Sequence, residues 1–354
     1  MVEGQKTLQR AARRPFGRVG IRDVAREAGV SVATVSRVLS AGGYPVSEET
    51  RRKVLASAKR LNFVPNDLAR GLSQDRTNTI GVIVPNLANL YYARLLLGVE
   101  EAAAKHGISI IFCNTNHDVS KRESDIRLLL QKRVDGILIC GSGTDYNSGM
   151  GPLVNTGAPF VVLGRQDSLQ HPAVHADNLR AGYVATRHLI EQGHRRIAFF
   201  TGPERWREGS DRVAGYKACL EENSLAMDPT LLLTCDFEEL DAYNRMFNLD
   251  RSSVSFTACL AGNDRIALGI MAAATDLGYV IPDSLAVVGF DNIATSRYMR
   301  PSLTTMDMPA HRMGAEGMRL LLRVIAGETV PSRTVFDAEL LIRQSSVSTR
   351  TSRP

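Results

Sequence analysis

Eight short apolar runs, spaced by helical stretches, constrain this chain most. Ile80 to Pro85, Ile108 to Asn114, Gly136 to Cys140 and Phe160 to Gly164 form one series. Ile197 to Gly202, Leu231 to Cys235, Phe256 to Leu260 and Leu285 to Phe290 form a second, after His175-Ala176-Asp177-Asn178. The runs are continuous rather than alternating, as parallel strands buried on both faces require. Strands alternating with amphipathic helices predict α/β units with parallel sheets, here in two similar lobes with a cleft between them.

The stretch Ile21 to Leu39 predicts a different architecture, an all-α helix-turn-helix head. Val24, Ala28, Val30, Val35 and Val38 sit at helical spacings, and Gly29 interrupts them where the chain must reverse. Ser31 is placed to cap the second helix, and Ala25 is small where the two helices cross. With Val35 and Val38 turned inward, Val32, Ala33, Ser36 and Arg37 share an outward face almost free of acid. Arg37 can grip a guanine edge, Val32 and Ala33 can pack on thymine methyls, and Ser31, Thr34 or Ser36 can bond phosphates. A third helix opens at Ser47, with Val54, Leu55, Ala58 and Leu61 as its expected buried side.

Charge separates the two parts. Residues 1–78 hold fifteen Lys and Arg against seven Asp and Glu, a net +8, whereas the whole chain carries +6, so the remainder carries −2. A polyanionic partner for one end follows. Residues 1–17 read as a basic disordered arm. The five cysteines, Cys113, Cys140, Cys219, Cys235 and Cys259, lie in apolar, strand-like settings without metal or redox spacing, and are expected to be buried thiols in a reducing cytosol. No signal-peptide pattern follows the basic N-terminus and no apolar run approaches the ~18 residues of a membrane span, so the expected location is the cytoplasm. Gly141-Ser142-Gly143 lacks the third glycine of a dinucleotide fingerprint, and no serine, cysteine or histidine stands in a recognisable nucleophile motif. Neither an enzyme nor a bound cofactor or metal is implied.

Several segments together resemble the lactose and galactose repressor (LacI/GalR) family: Ile21 to Leu39, Val46-Ser47-Glu48-Glu49-Thr50-Arg51, Pro65-Asn66 and Ala69-Arg70-Gly71-Leu72 in the first part. In the second part the matching segments are Val174 to Gly182, Gly193 to Ile197, Arg212 to Tyr216, Gly262-Asn263-Asp264 with Ala267-Leu268-Gly269, Val288 to Asp291, Pro301 to Thr305 and Leu341-Ile342-Arg343. The likeness runs from about Ile21 to about Ser346. It implies a DNA-binding domain at 18–65, a hinge helix and linker at 66–78 with Leu72 as a minor-groove wedge, and a periplasmic-binding-protein-like core at 79–346. The expected first lobe is about 79–164 plus 308–328, and the second about 165–291 plus 333–346. A short Ser/Thr/Arg-rich tail, 347–354, has no heptad repeat and favours a plain homodimer. Gly71 departs from the small polar residue expected inside the hinge.

Ligands of open α/β sheets bind at the carboxyl ends of strands. Asp291 follows a strand and can accept two hydroxyl hydrogen bonds, Asn263 offers an amide, and Arg212 offers a donor fork. The resemblance implies that these three bind an effector, and that Tyr92 and Phe237 flank it as aromatics. Leu90 stands where many relatives have proline, and Phe237 lies in an acidic loop without the usual glycine. Arg165, Tyr91 and Trp206 are secondary candidates, while Asp264 reads as a helix cap. The expected function is a bacterial transcription regulator, a repressor, that binds a pseudo-palindromic DNA operator and responds to a small molecule such as a sugar. The alternatives are a catabolite-control regulator with a phosphocarrier protein as main partner, or a sugar-binding protein without a DNA function.

Overall fold

The computed structural model describes residues 19–39, 45–64, 76–141, 149–166, 171–204, 206–251 and 255–347. The basic arm, Gly71, Leu72, most of the expected hinge and the last seven residues lie outside the described residues. The chain divides into two compact units, residues 1–77 and 78–354.

Among its described residues the first unit holds three helices, α1 (Ile21–Ala28), α2 (Val32–Leu39) and α3 (Glu48–Arg60). Asp23 accepts a hydrogen bond from the Gly20 amide at 2.9 Å, which ties the start of α1. Gly29 ends it at φ +66°, a left-handed conformation that glycine adopts without steric cost. Ser31 Oγ then accepts from the Thr34 amide at 3.1 Å, so α2 starts where the capping residue predicted. Ser47 does the same for α3 through the Thr50 amide. Val24, Ala25, Val35, Val38, Val54 and Ala58 form the small core. The expected inner side of α3 needs one correction. Leu55 is 48% exposed whereas Ser57 is buried, because Ser57 and Ala58 fall on the stripe that continues Val54 and Leu55 does not.

The second unit is built on two six-stranded sheets. The first, in order β11-β5-β4-β3-β1-β2, comprises β1 (Thr79–Val84), β2 (Ser109–Asn114), β3 (Gly136–Cys140), β4 (Phe160–Leu163), β5 (Ala173–Ala176) and β11 (Arg333–Phe336). The second, in order β12-β10-β9-β8-β6-β7, comprises β6 (Ile197–Thr201), β7 (Leu232–Thr234), β8 (Ala258–Ala261), β9 (Ala286–Phe290), β10 (Thr304–Asp307) and β12 (Glu339–Leu341). Every pairing is parallel except β10 with β12. The central strands β3, β4, β6, β8 and β9 are buried along their whole length, as continuous apolar runs require.

Among the described residues eight α-helices surround the sheets: α4 (Leu90–Ala104), α5 (Val119–Gln131), α6 (Gly151–Thr156), α7 (Asn178–Glu191), α8 (Arg207–Glu222), α9 (Glu239–Arg251), α10 (Asp264–Asp276) and α11 (Ala310–Ile325). Several begin on the short polar side chain immediately before them. Asn89 caps α4, Asp118 α5, Asp177 α7 and Asn263 α10. Among the described residues no helix is long and apolar enough to cross a membrane.

The chain passes between the lobes three times, after β5, after β10 and between β11 and β12. The lobe boundaries therefore differ from expectation. Residues 173–176 and 333–336 belong to the first lobe, since β5 pairs with β4 through Leu163↔Val174 and β11 pairs with β5 through Arg333↔Ala173. The α11 segment returns to the first lobe as expected, packing on α4, β3, β4 and β5. A four-residue edge strand such as β11 carries no continuous apolar run, so its side is set by its hydrogen-bonding neighbour.

Candidate functional site

The residues singled out on the second helix of the head lie on its outward side. Val35 and Val38 are buried, while Ser31, Val32, Ala33, Ser36 and Arg37 are exposed and Thr34 is half-buried. Val32 shows 41% of its surface, an apolar side chain offered outward on a helix whose first turn holds no acid. Side chains of that kind on one face of a short second helix suit a DNA major groove, which admits an α-helix.

In the second unit a cavity of about 780 Å³, its solvent-open mouth included, lies between the lobes at the carboxyl ends of the strands. Arg212, Asn263, Asp291, Tyr92 and Phe237 all line it. Asp291 directly follows β9 with φ +105°, held by its amide's 2.9 Å hydrogen bond to the Met306 carbonyl. Its buried carboxylate lies 3.9 Å from Arg212 Nη2 and makes no side-chain hydrogen bond among the described residues. Burial pushes its pKa up to about 8, against the pull of Arg212. Arg212 itself is well fixed. Its Nε donates to Asn178 Oδ1 at 2.8 Å, its Nη1 donates to the Gly262 carbonyl, and its guanidinium lies 4.7 Å from the Phe290 ring centroid. Asn263 Oδ1 caps α10 through the Ile266 amide at 2.8 Å, which leaves the Nδ2 amide for a ligand.

Aromatic rings border these polar groups. Tyr91 and Tyr92 sit in the first turn of α4 with centroids 5.2 Å apart, edge to face. Trp206, on the second lobe, meets His117 of the first at 4.9 Å, so this ring pair bridges the two lobes. Phe237 lies so close to Gly202 that a Cβ there would come within 2.0 Å of its ring. Two acids of the loop around Phe237 pair with Arg265, which donates to Glu239 Oε1 at 2.6 Å and to Glu238 Oε2 at 2.7 Å.

Two expectations change. Arg165 is not among the lining residues, and its guanidinium is paired with Asp211. Asp264 is not the cap of α10, a part taken by Asn263. It is fully buried, accepting from the Ile293 amide at 2.9 Å, Ser296 Oγ at 2.9 Å and Thr305 Oγ1 at 2.6 Å, and so shapes the loop after Asp291. The secondary candidates Tyr91 and Trp206 do line the cavity, together with Asn86, Asn89, His117, His175, Asn178 and Glu208, which sequence reasoning missed. His175 and Asn178 carried a signal, both standing inside Val174 to Gly182, a segment singled out for its family likeness.

A helical head with a groove-sized helix, and a two-lobed α/β unit with a polar and aromatic cleft, define a ligand-responsive DNA-binding regulator. Comparison with known proteins agrees. Residues 20–66 match the family described as bacterial regulatory proteins, lacI family, and residues 77–344 match periplasmic binding proteins and sugar binding domain of LacI family. The chain is 37% identical over 322 residues to catabolite control protein A of Priestia megaterium, covering 90% of this chain and 96% of that protein. Among solved structures it is similar to a complex of the transcriptional regulator CelR with cellobiose, at 31% identity and a TM-score of 0.70, over 93% of this chain and all of that one. It is also similar to the Lac repressor dimer bound to operator and the anti-inducer ONPF, at 27% identity and a TM-score of 0.84, over 94% and 100% of the two chains. The chain belongs to the LacI family of transcription regulators.

Proposed function

We propose that this regulator is a cytoplasmic homodimeric repressor that binds a pseudo-palindromic operator and changes its affinity when a neutral, hydroxyl-rich molecule, a sugar or related metabolite, occupies the cleft. The observation that carries the reading is the buried Asp291 carboxylate, which faces Arg212 across 3.9 Å without a side-chain hydrogen bond among the described residues. A carboxyl group of that kind suits paired hydroxyls, accepting from one and, while it holds its proton, donating to another, and the rings of Tyr92 and Phe237 suit the apolar faces of a pyranose. The cellobiose held by the similar CelR structure supports the same class of ligand. On the DNA side, Ser31, Val32, Ala33, Thr34, Ser36 and Arg37 are the proposed contacts, with Leu72 as the wedge. The switch is linkage: an effector that favours one lobe arrangement shifts operator affinity by its differential affinity for the two.

A thermal-shift screen of neutral sugars, followed by operator titration with and without the hit, tests this. A sugar that raises the melting temperature with concentration and alters operator affinity supports it. No shift with any sugar removes the sugar class. A second reading rests on the 37% identity to catabolite control protein A, with a phosphocarrier protein as main partner. Operator affinity that responds to such a protein and to no sugar favours that reading.

A further inference from the structure

His175 lines the cavity and carries a buried ring nitrogen that no partner among the described residues satisfies. Its Nε2 is shielded from solvent without a hydrogen-bond partner among the described residues, while its Nδ1 lies 3.1 Å from the Ala176 carbonyl. A carbonyl oxygen can only accept, so Nδ1 holds the proton in the neutral ring and Nε2 is left with its lone pair. The same carbonyl also accepts from Asn178 Nδ2 at 3.2 Å, and Asn178 Oδ1 in turn accepts from Arg212 Nε at 2.8 Å. The His175 ring is thus set by a hydrogen-bonded chain that ends on Arg212, beside Asp291. A buried acceptor left without a donor is costly, and such groups in folded proteins have partners.

We infer that His175 is a specificity-determining residue of the cleft, which accepts a hydrogen bond from one hydroxyl of a neutral polyhydroxylated ligand through Nε2. The inference rests on the reading of the cleft as a sugar-class site and adds a second acceptor to it besides Asp291. Two acceptors select a ligand that donates at two places, and they discriminate against a sugar lacking or capping the hydroxyl at His175, because Nε2 would then be buried with no donor. Nothing in the strand pattern marks this residue. Val174 and Ala176 on either side are core, and His175 alone in β5 is half-exposed.

The test uses the full chain with ribose, glucose, galactose and cellobiose, comparing wild type with His175→Leu and His175→Gln by calorimetry and their unliganded melting temperatures. For any sugar that binds wild type, His175→Leu is expected to weaken affinity by about tenfold or more, with His175→Gln, which keeps an acceptor, losing less. One monodeoxy derivative of that sugar should bind wild type with the same loss and should bind His175→Leu as well as the parent sugar does. Binding by His175→Leu within about twofold of wild type, or a loss unmatched by any single hydroxyl, overturns the inference. If none of the four sugars binds wild type, the sugar reading of the cleft fails. The nitrogen-15 spectrum of His175 in the free protein then decides. An unprotonated Nε2 upholds the acceptor assignment, and a protonated one overturns it.

Discussion

Arg212 and Asp291, both buried, form an ion pair at 3.9 Å, too long for a hydrogen bond between them. Arg212 directs two of its nitrogens to Asn178 and Gly262 instead. Asp291 is consequently costly to ionise, and burial raises its pKa to about 8. An acid whose folded-state pKa lies above its unfolded value binds its proton more tightly when folded. Its favourable contribution is complete below the unfolded pKa and is lost as pH rises through the folded one. Stability of the second unit should therefore decline between about pH 4 and pH 8, by at most about 1.4 kcal/mol per pH unit from this group. Asp264, raised to about 7 by burial against its three hydrogen bonds, adds to the same decline. Asp291→Asn, fixed in a neutral form, should flatten part of the profile in denaturant titrations at several pH values. The variant should also lose the ligand response.

Arg37 is exposed on the outward face of α2. If it reads a guanine, Arg37→Ala should weaken operator binding by about 1 to 3 kcal/mol and relax preference at one base position per half-site. Competition assays at constant salt should show a far smaller loss on random DNA. Equal losses on both would mean that the side chain only holds phosphate.

Arg94 of α4 reaches from the first lobe to the second. Its Nη1 donates to the Asp291 carbonyl at 3.1 Å and the Asn292 carbonyl at 3.2 Å, and pairs with Asp307 at 2.9 Å. These groups sit on the loop that carries the cleft carboxylate and at the end of β10, where the chain leaves the second lobe. Arg94→Ala should lower stability by about 1 to 2 kcal/mol, the hydrogen bonds being partly solvent-exposed. It should also change how far a saturating ligand shifts operator affinity, while ligand affinity changes less. Calorimetry and operator titration on the same variant separate the two, and an unaltered operator shift would confine Arg94 to stability.

Gly98 lets α4 and α11 cross closely. A Cβ at that position would stand 2.0 Å from the His311 carbonyl oxygen, a rigid backbone atom. Helix propensity alone would make Gly98→Ala stabilising by about 1 kcal/mol. Here the clash should dominate and the variant should lose at least about 2 kcal/mol in urea unfolding. A gain in stability would show that the two helices separate without penalty.

Local chemistry by itself determined much of this protein. The turn at Gly29, the caps at Ser31 and Ser47, and the eight continuous apolar runs were legible because each depends on residues within a few positions of one another. Resemblance then marked Arg212, Asn263 and Asp291, and the fold brings all three to one cavity. Tertiary structure decided what depends on neighbours remote in the chain. The side to which β5 and β11 belong follows from pairing across some 160 residues. Asp264 stands in sequence where a helix cap would, yet its partners lie at Ile293, Ser296 and Thr305, some thirty to forty residues further on. Arg165 turned to Asp211 rather than to the cleft. His175, an isolated histidine in a short strand, shows its orphaned nitrogen only when folding has removed it from water, since an unsatisfied polar atom is defined by everything that surrounds it.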